Sequence, residues 1–128
     1  MTPEDFVRIL KVSRDRVVAS AVETLRQPPG RSPHEASLRA SHWFNDVPER
    51  DQAFVAWCIS LGAYSAIFSL LATLDRVSFV DPSPHEELRL VHVSADGQET
   101  LLNDFQGEEL HALWTNEVFP FADELPER

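Results

Sequence analysis

The chain has 128 residues, 43% apolar and 25% charged, the proportions of an ordinary soluble globular domain. At that length it forms a single domain, 1–128, that buries roughly two-thirds of the surface its unfolded form exposes. Composition excludes collagen-like, disulfide-framework and wholly disordered chains, and a net charge of −10 opposes the phosphate backbone that a nucleic-acid binder must neutralise.

Thr2 followed by Pro3, Glu4 and Asp5 reads as a helix start: a hydroxyl cap, a proline where no amide donor is needed, and acids at the positive end of the dipole. Phe6, Val7, Leu10, Val17, Val18, Ala21, Val22 and Leu25 continue as a helical stripe, so the first helix spans 3–26, with a weak centre at Ser13-Arg14-Asp15-Arg16. The consecutive prolines and glycine of 27–31 end it as a loop. Ser32-Pro33-His34-Glu35 fits a capping box and predicts a second helix over 33–44. Asp46-Val47-Pro48-Glu49 then starts a long helix over 48–75.

Residues 53–74 contain no charge and must be weighed as a membrane span. Ser60, Tyr64, Ser65, Ser69 and Thr73 dilute the run, no Lys/Arg cluster follows it, and no tryptophan belt flanks both ends. The alternative, and the expectation adopted, is a buried central helix wrapped by amphipathic neighbours. Gly62, Ala63 and Ala66 leave little bulk at its middle, so another backbone is expected to approach closely there.

After Asp75-Arg76 the period changes, and a small antiparallel meander is expected over 77–103. Val77 to Val80 supplies one short strand before the turn-rich Asp81-Pro82-Ser83-Pro84. Two more strands flank Ala95-Asp96-Gly97-Gln98, where a two-residue type I′ turn at Asp96-Gly97 sets Val93 opposite Thr100 and Val91 opposite Leu102. Leu110, Leu113, Trp114 and Val118 have helical spacing, giving a final helix over 107–118 and a tail over 120–128. The fold class is α+β, mainly helical.

No motif for metal or catalysis stands out. His34 and His42, eight apart, diverge by about 80° around a helix, and none of the five histidines forms an H-x-x-x-H pattern. Cys58, the one cysteine, is expected to pack as a small hydrophobe, and it excludes an internal disulfide. Neighbouring carboxylates in Glu86-Glu87 and Glu108-Glu109 diverge on a strand or helix, so neither doublet is a preorganised acid/base pair. Trp43 and Phe44, followed by the turn formers Asn45 and Asp46, form either a hydrophobic anchor or a binding hot spot. No cofactor is implied. The opening residues lack a signal-peptide pattern, so a cytoplasmic location is the default.

Charge is unevenly placed. Up to Asn45 the balance is +2, whereas from Val77 onward only Arg89 and Arg128 oppose twelve carboxylates. Such a field speeds encounter with a basic partner, although it also serves as a solubilising surface.

The order of features adds a resemblance. Trp43-Phe44-Asn45, Leu74-Asp75-Arg76-Val77, Glu87-Leu88-Arg89-Leu90 and Leu101-Leu102-Asn103 before Leu110-His111-Ala112-Leu113-Trp114 resemble small acidic bacterial proteins of unassigned function. Some of these are similar to immunity proteins of polymorphic and contact-dependent toxin systems. The likeness covers roughly 43–114, places Arg76 where a glycine is expected, and implies no catalytic residues.

The resulting expectation is a non-catalytic binding module, most concretely an inhibitor that occludes a basic toxin domain through Asp81, Glu86, Glu87, Asp96, Glu99, Glu108 and Glu109. Neither nucleic acid nor membrane is an expected partner. Two alternatives remain: a small enzyme or ligand-binding protein using His85, His92 or His111 between the meander and the helices, and a homodimer meeting through Trp43 and Phe44 or through Trp114 and Phe119.

Overall fold

The computed structural model describes residues 1–76 and 87–118. It is mainly helical α+β, in the order α1 (Pro3–Arg26), α2 (Glu35–Asp46), α3 (Glu49–Leu74), β1 (Val91–Val93), β2 (Glu99–Leu101) and α4 (Leu110–Val118). The predicted strand at 77–80 and the tail at 120–128 lie outside the described residues, as do Asp81, His85, Glu86 and Phe119.

α1 starts as its sequence dictates. Asp5 N donates to Thr2 Oγ1 and Thr2 N donates to Asp5 Oδ2, both at 3.1 Å, a reciprocal box that satisfies two otherwise unbonded donors. The helix runs unbroken through the supposed weak centre, because Arg14 folds its buried guanidinium onto Asp15 Oδ1 at 2.7 and 3.1 Å. At the far end the free carbonyl of Arg26 accepts from Ser41 Oγ at 3.1 Å and Asn45 Nδ2 at 3.0 Å, which fixes α2 against the α1 terminus.

The expected Ser32 cap is replaced. α2 begins two residues later than predicted, with His34 as its cap and Nδ1 accepting from Ala36 N. Gln52 on α3 donates to the carbonyls of Phe44 and Val47 at 3.1 and 3.0 Å, bracing the α2–α3 corner.

The principal core lies where the first half of α1, the second half of α3 and α4 meet. Val7, Leu71, Leu110, Leu113 and Trp114 are buried there, with Phe6, Leu10, Tyr64, Ile67, Leu74 and Leu90 packed around them. Tyr64 stacks on Trp114 with ring centroids 5.6 Å apart. Only one sector of α3 takes part. Of its residues only Ser60, Leu71 and Ala72 are buried, so the expectation of a central helix covered on all sides is corrected. Nor, among the described residues, does another backbone approach its middle: a Cβ built on Gly62 would meet none of them within 4 Å, and Ala66 is exposed.

Strands β1 and β2 pair antiparallel, with Val91 opposite Leu101, His92 opposite Thr100 and Val93 opposite Glu99. That register is one residue away from the prediction. Asp96 does not enter the left-handed region that a type I′ turn requires; Gly97 alone does, at φ 86°. Gly97 N donates to Ser94 O, and Ser94 N to Gln98 O, closing a three-residue connection with glycine in the left-handed position. A shift of one residue exchanges the faces of a strand relative to its partner, so the change decides which side chains face water.

Candidate functional site

The hairpin shows one face to the core and one to solvent. Leu90 and Leu102 turn inward, and Leu102 N donates to Leu90 O at 2.8 Å, extending the pairing beyond the strands. On the opposite side Val91, Val93 and Leu101 are 40%, 58% and 37% exposed and share their face with Glu99. Asp96 stands at the tip, where its carboxylate accepts from Ser94 Oγ and Gln98 N. Those bonds, the Ser94 one foremost, hold the Asp96 carboxyl below its ordinary value of 3.8. An apolar centre carrying carboxylates on its face and tip is the composition of a protein-contact surface, a reading that period-2 alternation alone missed because it depends on the register.

The predicted carboxylates do not form one cluster. Asp96 and Glu99 belong to the hairpin. Glu87 is shared by Arg89 at 2.5 Å and Arg76 at 3.4 Å, so its charge is partly neutralised. Exposed Glu108 and Glu109 precede α4, with Glu109 Oε2 3.4 Å from His111 Nε2.

A second constellation occupies the junction of α3 and α4. Asp75, buried after the last turn of α3, accepts from His111 N and lies against His111 Nδ1, both at 2.8 Å. One carboxylate therefore caps α4 and orients an imidazole whose other nitrogen faces Glu109; Phe68 meets the ring edge-on at 5.7 Å. This cap explains why α4 starts at Leu110 instead of 107. Buried Asn103 braces the junction, donating to the carbonyls of Leu74 and Leu88 at 3.0 and 2.7 Å and accepting from Leu90 N at 2.8 Å. Arg76 has φ 61°, the left-handed conformation a glycine would favour, and its guanidinium lies 4.9 Å from the centre of the Phe105 ring. Asp75, Arg76, Asn103 and His111 all lie in segments that carry the resemblance, but no spacing joined them as one site, since Asp75 and His111 are 36 residues apart.

Other candidates separate. Phe44 is fully buried and is withdrawn from any contact surface, whereas Trp43 is 58% exposed. Trp114 is also fully buried, which removes it from the homodimer contact considered above. His42 is exposed and lines, with Glu35, Leu38 and Arg39, an open groove of about 350 Å³ on α2. His92 is half-buried on the hairpin. Among the described residues no three His, Cys, Asp or Glu side chains are grouped to hold a metal ion. Cys58 is exposed rather than packed, and the positions one turn away on α3, Phe54, Val55, Leu61 and Gly62, carry no ionisable group to activate it. No known family, curated protein or solved structure matches the chain.

Proposed function

We propose that the chain is a non-catalytic protein-binding module that docks a basic partner on the solvent face of its β-hairpin. The most concrete form is a cytoplasmic, immunity-type inhibitor that occludes a bacterial toxin domain. The observation that carries the reading is the exposed triad Val91, Val93 and Leu101 with Glu99 beside it and Asp96 at the tip. Carboxylates steer the encounter, and burial of the valines and leucine slows dissociation. With a basic partner in hand, raising salt reduces the association rate steeply, Glu99→Lys reduces it further, and Val93→Ser raises the dissociation rate about 10-fold. Rates indifferent to salt and to both substitutions contradict the proposal.

The Asp75–His111 pair favours a second reading, a small-molecule site at the α3–α4 junction. Under that reading His111→Gln abolishes ligand binding observed by calorimetry while leaving the hairpin contact intact. Under the first, it changes stability alone.

A further inference from the structure

The pairing of the hairpin decides where its spare hydrogen-bonding groups point. Ser94 N donates to Gln98 O and Leu102 N donates to Leu90 O, so both of these are hydrogen-bonded pairs. In an antiparallel ladder bonded and non-bonded pairs alternate, which makes His92 and Thr100 the bonded pair between them. Val91 opposite Leu101 and Val93 opposite Glu99 are then non-bonded pairs. The amides and carbonyls of Glu99 and Leu101 therefore point away from β1, and among the described residues no hydrogen bond takes them. All three residues of β2 are exposed, whereas His92 of β1 is half-buried. The register is continuous, without a bulge, and the strand contains no proline, so neither of these devices stops the edge from pairing.

We propose that the basic partner adds an extended segment to the open edge of β2 as a third, antiparallel strand. This rests on the hairpin as the contact surface and names the backbone that fits it. Donors and acceptors alternating in strand register match another extended backbone and not a helix, whose own amides and carbonyls are already paired. Antiparallel addition makes Glu99 and Leu101 hydrogen-bonded positions, and the partner residues opposite them lie two apart on the solvent face. Charge and polarity then specify those residues: a basic side chain opposite Glu99 and an apolar one opposite Leu101. A second basic residue two positions further along reaches the tip beside Asp96. A second copy of the chain is a poor occupant, because its net charge of −10 meets the same acids.

The test uses a capped heptapeptide, Thr-Val-Thr-Lys-Thr-Lys-Thr, whose valine and first lysine meet Leu101 and Glu99. Binding to the full chain is read by calorimetry and by amide hydrogen exchange. It should slow exchange at Glu99 and Leu101 and leave His92 and Thr100, already bonded across the hairpin, unchanged. N-methylation of the valine and both lysines should weaken binding about 30-fold, the loss of two hydrogen bonds at the edge. N-methylation of the threonine that follows each of them should leave binding intact, because those amides face away from β2. Leu101→Pro, which removes an edge donor where proline is tolerated, should abolish binding while His92 and Thr100 stay protected. Glu99→Gln should weaken it about 3-fold. Equal binding of the two methylated peptides, exchange at Glu99 and Leu101 unchanged at saturation, or no binding of the unmodified peptide would each overturn the strand addition. The contact surface itself fails separately, through indifference of a basic partner to salt and to Val93→Ser.

Discussion

The carboxylates of Asp5 and Asp96 sit below the ordinary 3.8 for one reason: each accepts hydrogen bonds that favour its ionised form, from Thr2 in the first case and from Ser94 and Gln98 in the second. A folded-state value below the unfolded one contributes stability above the unfolded pKa of about 4, and that contribution disappears as pH falls through the folded value. Asp5→Asn should therefore lower the denaturant midpoint at pH 7 and converge on the wild type at pH 2. A constant difference across that range would show that the charge is not responsible. Arg76 presents a separate residue-scale case, because its φ of 61° costs an L side chain about 1 kcal/mol, a cost glycine avoids. Both Arg76→Gly and Arg76→Ala lose the contacts to Glu87 and Phe105, so their difference isolates the backbone. Glycine should be the more stable of the two by about 1 kcal/mol in urea denaturation. The resemblance carried by Leu74-Asp75-Arg76-Val77 leads to an expectation of glycine at this position, and the backbone adopts the conformation glycine would supply.

Among the elements, those set by local chemistry were legible and those set by distant partners were not. α1 matches its predicted span of 3–26 because its cap, stripe and terminating prolines are all within the segment. The start of α4 was misplaced because its cap, Asp75, comes from another helix 36 residues away. The hairpin was recognisable from Asp96-Gly97, but its register slipped by one because the turn uses three connecting residues rather than two. That slip matters for the site, since the observed pairing places Val91 and Leu101 together toward water. Asn103, whose distant partners the Leu101-Leu102-Asn103 segment does not announce, holds the hairpin to α3 through three hydrogen bonds. Asn103→Ala should cost about 2–3 kcal/mol and release the hairpin amides to faster hydrogen exchange before the α1 amides. Uniform loss of protection would instead mean that the hairpin and helices unfold as one unit.

At the scale of the whole molecule, uneven charge and uneven burial describe one object with two faces. Carboxylates and exposed valines meet on the hairpin, while the open side of α3 carries no charge at all. The excess of acid was plain in the sequence, but its division among the hairpin, the Arg76–Glu87–Arg89 group and the start of α4 depends on tertiary placement. Salt should weaken attraction between the hairpin face and a basic partner, since screening acts on exposed charges. The central claim, that the hairpin face is the contact surface, is tested most directly by capture from a host extract with three baits in parallel. These are the wild type, the hairpin variant Val91→Ser/Val93→Ser, and the control Val12→Ser on the exposed side of α1. The account predicts that one basic protein is retained by the wild type and the control, is released by high salt, and is lost from the hairpin variant. Retention of that protein by all three baits alike would contradict it.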